Sequence, residues 1–277
     1  MKIDGAKLAS DILSELKPEI KKLKQSGSSP TLAIVMIGND KSSSAYIKQK
    51  KLKAEEIGIN IKLFQYTTTT QEELEDTIAR LNDDRKINGI IVQRPLPPSI
   101  KSETVSKLVN IEKDVDGFND ESQFDAPVAS AVIYILDSIG ESNLKRKKIV
   151  VIGKGETAGT PIIKLLDRME LNFEIIDSKT KKQVETIKNS DIIITAVGKK
   201  NIIEGKWLNK NQILIGVGLS LIDGKLIGDY EENDVSDRVK YFTPRIGGVG
   251  PINVALLMKN VVIATKNQAA LSRSTIS

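Results

Sequence analysis

Apolar residues along the chain follow two alternating patterns, short β-branched runs and longer stretches with helical spacing. Residues 6–25 repeat apolar side chains every three or four positions, which predicts an amphipathic helix in which Pro18 favours a kink. Residues 31–37 form a continuous apolar run that predicts a buried strand. The same reasoning predicts helices at 43–56, 71–82 and 102–109, and strands at 59–66 and 89–93.

The alternation restarts after a boundary near residues 117–119. Strands are predicted at 149–152, 173–176, 191–196 and 213–217, with helices at 160–169 and after Pro251. Strands that alternate with helices are typical of parallel sheets with right-handed crossovers. We therefore predict an α/β protein of two domains, an N-terminal α/β domain followed by a Rossmann-like dinucleotide-binding domain with a parallel sheet.

The chain of 277 residues contains no cysteine and no histidine. Disulfides, thiolate catalysis and cysteine-based zinc sites are therefore excluded, and we predict no metal site. The usual proton carrier near neutral pH is also absent. Any general acid or base must be Asp, Glu, Lys, Tyr or water.

The net charge of +5 comes from lysines scattered along the chain, and aromatic residues make up only 4%. Neither feature favours a nucleic-acid partner, so we interpret the lysines as a solvated surface. No apolar run approaches the ~20 residues that span a bilayer. The first residues lack the apolar core of a secretory signal, and we predict a cytoplasmic protein with no membrane partner.

Residues 153–159 place three glycines with the spacing G-x-G-x-x-x-G between a predicted strand and a predicted helix. Glycines at such a turn let the backbone approach a pyrophosphate, and the helix N-terminus offers unpaired N–H groups to it. The motif predicts a dinucleotide site, although a purely structural turn is the alternative.

The next strand ends at Asp177, 24 residues after Gly153. An acid at this distance typically accepts a hydrogen bond from the ribose 2′-OH, which favours NAD. Lys154, Ser178 and Lys179 could instead hold the 2′-phosphate of NADP. We favour NADP and keep NAD open, and a simple turn role for Asp177 also remains open.

Four further sequence blocks are distinctive: SSAYIKQKKLKAEEIG at 43–58, GIIVQRPLPP at 89–98, KDVDG at 113–117 and TPRIGGVGPIN at 243–253. Together these blocks resemble the methylenetetrahydrofolate dehydrogenase/cyclohydrolase family. Their order and spacing suit the family, and the resemblance covers nearly the whole chain.

The resemblance implies two reactions of one-carbon metabolism: oxidation of 5,10-methylenetetrahydrofolate to the methenyl form with NADP, and hydrolysis of that form to 10-formyltetrahydrofolate. It implies a homodimer whose last helix packs on the first domain. We therefore predict a catalytic folate domain of residues 1–117 plus the C-terminal helix 254–277, and an NAD(P)-binding domain of residues 118–253.

The family's catalytic residues correspond here to Tyr46, Lys50, Gln93 and Asp116. Lys50 would be the general acid/base, held by Gln93, while Tyr46 covers the pterin and Asp116 accepts from its amino and N–H groups. Substrate contacts are predicted from Tyr46, Gln93, Asp116, Gly250 and Pro251. Cofactor contacts are predicted from Gly153, Lys154, Gly155, Thr157, Gly159, Asp177, Ser178, Val197, Gly198, Leu219 and Asn253.

Each of these residues also has a structural interpretation. Tyr46 and Lys50 lie four positions apart and alone could be a surface pair, Gln93 a strand-end cap and Asp116 part of a turn. Their joint occurrence favours a functional interpretation. A dehydrogenase without cyclohydrolase activity, a shikimate-dehydrogenase-like enzyme and a non-catalytic nucleotide-binding module are the alternatives.

The sequence departs from the family's usual pattern at five places. These are Lys154-Gly155 for Arg-Ser, residues 126–131 for P-C-T-P-x-G, Gly216 for the Asp of D-V-G, Arg245-Ile246 within T-P-V-P-G-G, and Arg94 for a leucine. The departures put the cofactor choice and the contacts to the folate tail in question.

Overall fold

The computed structural model describes residues 1–274, without the side chains of residues 41, 42 and 272–274. Within it, the chain forms two compact units. The three-stranded unit consists of residues 9–127 and those from 254 onward, and the five-stranded unit of residues 1–8 and 128–253. The end of the predicted C-terminal helix, residues 275–277, lies outside the described residues.

These units differ from the predicted domains in the placement of two segments. The first eight residues belong to the five-stranded unit, because the amide of Ile3 donates to the Phe242 carbonyl at 2.8 Å and the amide of Phe242 donates to the Met1 carbonyl at 3.0 Å. The boundary after the first 117 residues moves to 127/128, so residues 118–127 lie in the three-stranded unit.

The three-stranded unit has a small parallel sheet with the strand order β2-β1-β3. β1 is buried along its whole length, as its continuous apolar run predicts. The elements are α1 (Gly5–Gln25), β1 (Thr31–Ile37), α2 (Lys41–Ile57), β2 (Asn60–Tyr66), α3 (Gln71–Asp83), β3 (Gly89–Val92) and α4 (Ser102–Leu108).

Helix α2 has a defined cap at each end. The Asp40 carboxylate accepts a hydrogen bond from the amide of Ser43 at 2.6 Å, which satisfies one of the free N–H groups of the first turn. Gly58 ends the helix in the left-handed conformation, at φ +88°. The helix therefore begins two residues before the predicted start at Ser43.

The five-stranded unit has a parallel sheet with the order β10-β7-β6-β4-β5. Its elements are α5 (Pro127–Ser138), β4 (Ile149–Ile152), α6 (Gly159–Arg168), β5 (Phe173–Ile176), α7 (Gln183–Asn189), β6 (Ile192–Thr195), β7 (Ile213–Gly216), the hairpin β8 (Leu219–Ile222) and β9 (Lys225–Gly228), α8 (Glu232–Val235) and β10 (Tyr241–Phe242). The predicted α/β class with parallel sheets is confirmed.

The sequence patterns missed α5, α7, α8, β10 and the β8–β9 hairpin. Helix α7 has only seven residues, which is too short for a clear helical period. The hairpin strands lie outside the main sheet and are half-exposed, so they lack a buried apolar run.

The last helix, α9 (Val249–Ser274), contributes residues to both units. Within the three-stranded unit, the Asn260 side chain donates to the carbonyl oxygens of Val115, at 2.9 Å, and Asp125, at 3.4 Å. Gln268 and Asn88 are also joined by side-chain hydrogen bonds. These contacts anchor the helix beside the K-D-V-D-G block. No helix within residues 1–274 is long and apolar enough to cross a membrane.

Candidate active site

The structure brings Lys50 and Gln93 together, although 43 positions separate them in the chain. The Lys50 Nζ donates to the Gln93 Oε1 at 3.0 Å, and only 8% of the lysine is exposed. Lys50 lies in the third turn of α2, one turn after the half-buried Tyr46. Lys50 is therefore a buried lysine with a hydrogen-bond partner and not part of a surface pair.

Gln93 is held by the backbone at the end of β3. Its amide donates to the Val35 carbonyl at 2.8 Å, which continues the pairing with β1. Its side-chain Nε2 donates to the Arg94 carbonyl at 2.9 Å. Because the amide nitrogen is engaged there, the oxygen faces Lys50.

Burial lowers the pKa of Lys50, since the charged ammonium is poorly solvated there, and the negative charge of Asp116 opposes this shift. The net direction is downward, which increases the fraction of free amine at neutral pH. Burial also raises the pKa of Tyr46, so its hydroxyl keeps its proton. The pair thus consists of a lysine that gives up its proton more readily than in water and a tyrosine that can donate a hydrogen bond.

Two residues of the K-D-V-D-G block, Lys113 and Gly117, shape the loop itself. The Lys113 Nζ donates to the carbonyls of Leu81, Asn82 and Asp84 at 2.6–3.1 Å, so it caps the end of α3. Gly117 has φ +66°, and a Cβ there would lie 2.6 Å from backbone atoms of Phe124 and Ala126. Lys113 and Gly117 therefore build the loop.

The two aspartates of the block differ in their surroundings. Asp114 is 3% exposed and accepts from the amide of Asn119 at 2.8 Å, and burial raises its pKa to about 6. Asp116 is half-buried and accepts no hydrogen bond from any of the described residues. The Asp116 carboxylate is thus the one in this loop with oxygens available to a ligand.

Arg94 connects the Gln93 strand end to the Asp116 loop, which the sequence analysis did not predict. It is 7% exposed, and its guanidinium donates to the hydroxyls of Ser102 and Ser106 on α4. It also lies over the Phe118 ring, 4.2 Å from the centroid. The only sequence signal was a charged residue in place of the family's leucine.

The glycine turn after β4 has the conformation that a dinucleotide site needs. Gly153 has φ +94°, and a Cβ there would lie 2.8 Å from the Ala196 carbonyl oxygen. A Cβ on Gly159, at the start of α6, would collide with the Gly153 backbone, whereas one on Gly155 would meet no atom within 4 Å. The close-packed turn and the open space beside Gly155 at a helix N-terminus fit a bound pyrophosphate.

The two residues that bear on the cofactor choice are paired with each other. The Lys154 Nζ lies 2.8 Å from the Asp177 Oδ2, and this contact contributes most to lowering the pKa of Asp177 to about 2. Ser178, which follows Asp177, and Thr157, three positions after Lys154, are both exposed. The structure thus places a carboxylate that can accept a hydrogen bond directly beside a cation.

The other predicted cofactor residues lie at two places. Val197 and Gly198 follow β6: the Val197 Cγ2 lies 2.9 Å from where a Cβ of Gly153 would be, and a Cβ of Gly198 would lie 3.1 Å from the Leu219 carbonyl oxygen. Val197, Gly198 and Leu219 are therefore contiguous with the glycine turn. Asn253, the remaining predicted cofactor residue, lies in the first turns of α9, as do the predicted substrate contacts Gly250 and Pro251.

One departure from the family pattern has a steric cause. A Cβ on Gly216 would lie 2.8 Å from the ring and hydroxyl of Tyr230. The Tyr230 hydroxyl donates to the Thr243 carbonyl at 2.6 Å, which fixes the ring in this space. An aspartate at position 216 would not fit beside this tyrosine. Within residues 1–274, no cluster of His, Cys, Asp and Glu could hold a metal ion.

Comparison with protein families agrees with this arrangement of a catalytic and a nucleotide-binding part. Residues 3–116 match the catalytic domain of tetrahydrofolate dehydrogenase/cyclohydrolase, and residues 126–269 match its NAD(P)-binding domain. The chain belongs to the tetrahydrofolate dehydrogenase/cyclohydrolase family. The predicted dehydrogenase and cyclohydrolase activities and the nicotinamide dinucleotide cofactor are thereby confirmed at the level of the family.

Relatives of known name support the same assignment over the full length. The bifunctional protein FolD of Halothermothrix orenii is 37% identical, with 95% of this chain and 97% of the relative covered. The FolD crystal structure from Campylobacter jejuni has a TM-score of 0.91 at 32% identity, covering 96% of this chain and 99% of that one. That of Trypanosoma brucei FolD with NADP and an inhibitor has a TM-score of 0.90 at 29% identity, covering 97% and 98%.

The glycine turn can be tested with two alanine variants. We expect Gly153→Ala to lower the free energy of unfolding by more than about 1 kcal/mol and to weaken NADPH binding. An alanine backbone is strained at φ +94°, and the alanine Cβ would collide with the Ala196 carbonyl oxygen. Gly155→Ala is the matched control for stability, since its Cβ meets no protein atom. Urea denaturation and NADPH fluorescence measure both effects. Equal unfolding free energies for Gly153→Ala and the wild type would contradict the steric argument.

Proposed function

We propose that Lys50, Tyr46, Gln93 and Asp116 perform the folate chemistry of this enzyme family in the present chain, and that the five-stranded unit binds NADP. The reactions are oxidation of 5,10-methylenetetrahydrofolate to 5,10-methenyltetrahydrofolate and hydrolysis of the methenyl form to 10-formyltetrahydrofolate. The observation that carries the proposal is the buried hydrogen bond between the Lys50 Nζ and the Gln93 Oε1, 3.0 Å long.

The contrast between Lys50 and Lys113 supports a catalytic role for the first. Burial lowers the pKa of both lysines. Lys113 donates to three carbonyl oxygens, which use all the hydrogens of its ammonium. Among the described residues, Lys50 has one acceptor, Gln93. Its nitrogen thus keeps capacity for a water molecule or a substrate atom.

Asp116 and Tyr46 bind the pterin. Two carboxylate oxygens suit the paired amino and N–H donors at the edge of a pterin ring, and Asp116 has no competing donor among the described residues. Tyr46 offers its ring face to the flat ligand and keeps its hydroxyl protonated.

In the oxidation, bound NADP supplies a hydride acceptor for the methylene carbon of the substrate. The protein's part is orientation. Asp116 and Tyr46 fix the pterin, and Gly153, Lys154, Gly155, Thr157, Gly159, Asp177, Ser178, Val197, Gly198, Leu219 and Asn253 hold the cofactor.

In the hydrolysis, water adds to the cationic methenyl carbon. The Lys50 amine takes a proton from this water as the C–O bond forms, and Gln93 holds the resulting ammonium. The bond from the carbon to N5 then breaks, N5 receives the hydroxyl proton, and the formyl group stays on N10. One proton passes from Lys50 to solvent, which restores the free amine.

Two observations favour NADP over NAD. Lys154 offers a cation beside the end of β5, and its side chain is 63% exposed, so it can turn from Asp177 to a 2′-phosphate. The Trypanosoma brucei relative was solved with NADP. NAD remains the alternative, because Asp177 could accept from a free ribose 2′-OH.

The assembly and location are also proposals. β5 is an edge strand of its sheet and exposes 41% of Ile175, which is consistent with contact to a second copy in a homodimer. A cytoplasmic enzyme without nucleic-acid or membrane partners agrees with the scattered lysines and the modest net charge of +5.

The role of Lys50 can be tested by substitution. We expect Lys50→Met to lower the rate of methenyltetrahydrofolate hydrolysis by about a hundredfold or more, because the proton acceptor is lost. Lys50→Arg should have the same effect, since a guanidinium stays charged. The decay of methenyl absorbance measures the rate.

The exposed Lys48 on the same helix provides the control, and Lys48→Met should hydrolyse at the wild-type rate. Wild-type hydrolysis by the Lys50→Met protein would refute the assignment.

The cofactor choice can be tested with Lys154→Gln. We expect KM for NADP to rise about tenfold, since a charge-assisted hydrogen bond to the 2′-phosphate is lost, and KM for NAD to stay unchanged. Steady-state dehydrogenase kinetics with each cofactor measure this. Lys188→Gln on α7, exposed in the same unit, removes the same charge as a control. An equal change in both KM values would show that Lys154 does not read the 2′ position.

A further inference from the structure

Asp229, directly after the β8–β9 hairpin, is a buried carboxylate to which neither the motifs nor the proposed function assigns a role. It is 1% exposed. Its Oδ1 accepts from the amides of Gly198 at 2.6 Å and Lys199 at 3.0 Å, and its Oδ2 accepts from the amide of Val197 at 3.1 Å. Three consecutive backbone N–H groups thus converge on one side chain.

The three hydrogen bonds order the loop of residues 197–199, whereas burial of the charged Asp229 carboxylate costs free energy. Burial raises the pKa of Asp229, and the three amides oppose that shift by stabilising the charged form. Removal of the carboxylate would leave three N–H groups of the loop without their acceptor. Asp229 therefore determines the conformation of residues 197–199.

The loop held by Asp229 borders the proposed cofactor site on two sides. Val197 lies against the Gly153 turn, and Gly198 lies against the Leu219 backbone. A Cβ on Gly218 would collide with the Asp229 carboxylate and the Gly198 amide. The absence of a side chain at position 218 therefore makes room for the carboxylate. One side chain thereby fixes the loops after β6 and β7 beside the glycine turn after β4.

We propose that Asp229 is a positioning residue for the dinucleotide, acting through the loop of residues 197–199. The inference rests on the proposed function, since it takes the glycine turn as the cofactor site. Asp229 directly follows the β8–β9 hairpin, so the hairpin leads the chain to this buried acceptor beside the loop.

The variant Asp229→Asn keeps the shape of the side chain but replaces one acceptor oxygen with an NH₂ group. That group would face an amide donor of the loop, so at least one of the three hydrogen bonds is lost. We expect the Kd for NADPH to rise about tenfold. We also expect faster hydrogen exchange at the amides of residues 197–199 in the absence of cofactor.

The matched control is Asp223→Asn, because Asp223 lies in the exposed turn of the same hairpin and loses the same charge. NADPH fluorescence titration gives Kd, and mass spectrometry gives amide exchange. The rate of methenyltetrahydrofolate hydrolysis without cofactor is measured beside them and should be unchanged, because Lys50 and Gln93, the residues proposed for its proton transfer, lie in the three-stranded unit.

The outcomes separate this inference from the proposed function. A raised Kd with faster loop exchange and unchanged hydrolysis supports the positioning role. A Kd within twofold of the wild type, or wild-type exchange at residues 197–199, overturns it. If Asp229→Asn does not fold, Asp229→Glu decides, with a raised Kd expected from the displaced carboxylate and an unchanged Kd contradicting the role. Failure of the wild-type protein to bind NADPH would instead refute the proposed function.

Discussion

The burial of a lysine amine beside a fixed amide oxygen is the constraint on which the account of this enzyme depends. Lys50 has lost most of its water, and Gln93 is its single acceptor among the described residues. Gln93 in turn can present its oxygen because its own NH₂ group is engaged by the Arg94 carbonyl. In a chain without histidine, desolvation thus gives a lysine that holds its proton less tightly than it would in water.

The surrounding structure keeps this arrangement in place with groups that do no chemistry. Lys113 caps α3, Asp114 orders the turn up to Asn119, and Asn260 of α9 holds the backbone of Val115. The K-D-V-D-G block is therefore mostly scaffold, and Asp116 is its available carboxylate. In the five-stranded unit, close backbone contacts likewise fix the conformation of the Gly153 turn. In both units, the residues proposed to act on ligands are few, and their neighbours determine the geometry.

The sequence predicted what depends on local spacing. Apolar periodicity located the main strands and helices, and the four-residue interval placed Tyr46 and Lys50 one turn apart on α2. It could not predict interactions that depend on tertiary distance, such as the stacking of Arg94 on Phe118 or the three amides on Asp229. Lys154 and Asp177 gave competing signals for the cofactor in the sequence, whereas the structure pairs them at 2.8 Å. No local sequence pattern predicts the β-bridge between Lys2 and Phe242, which joins the start of the chain to the five-stranded sheet.

Lys50 can act as a general base only if its pKa is lowered, and direct titration of this side chain tests that most directly. Nuclear magnetic resonance of protein labelled at the lysine Cε and Nζ atoms, with the Lys50 signal assigned from the Lys50→Arg variant, follows each ammonium with pH. We predict that the pKa of Lys50 lies clearly below the value of about 10.4 that is usual for lysine in water. If Lys50 titrated at that usual value, the free amine would be too scarce at neutral pH, and the assignment of Lys50 as the general base would be contradicted.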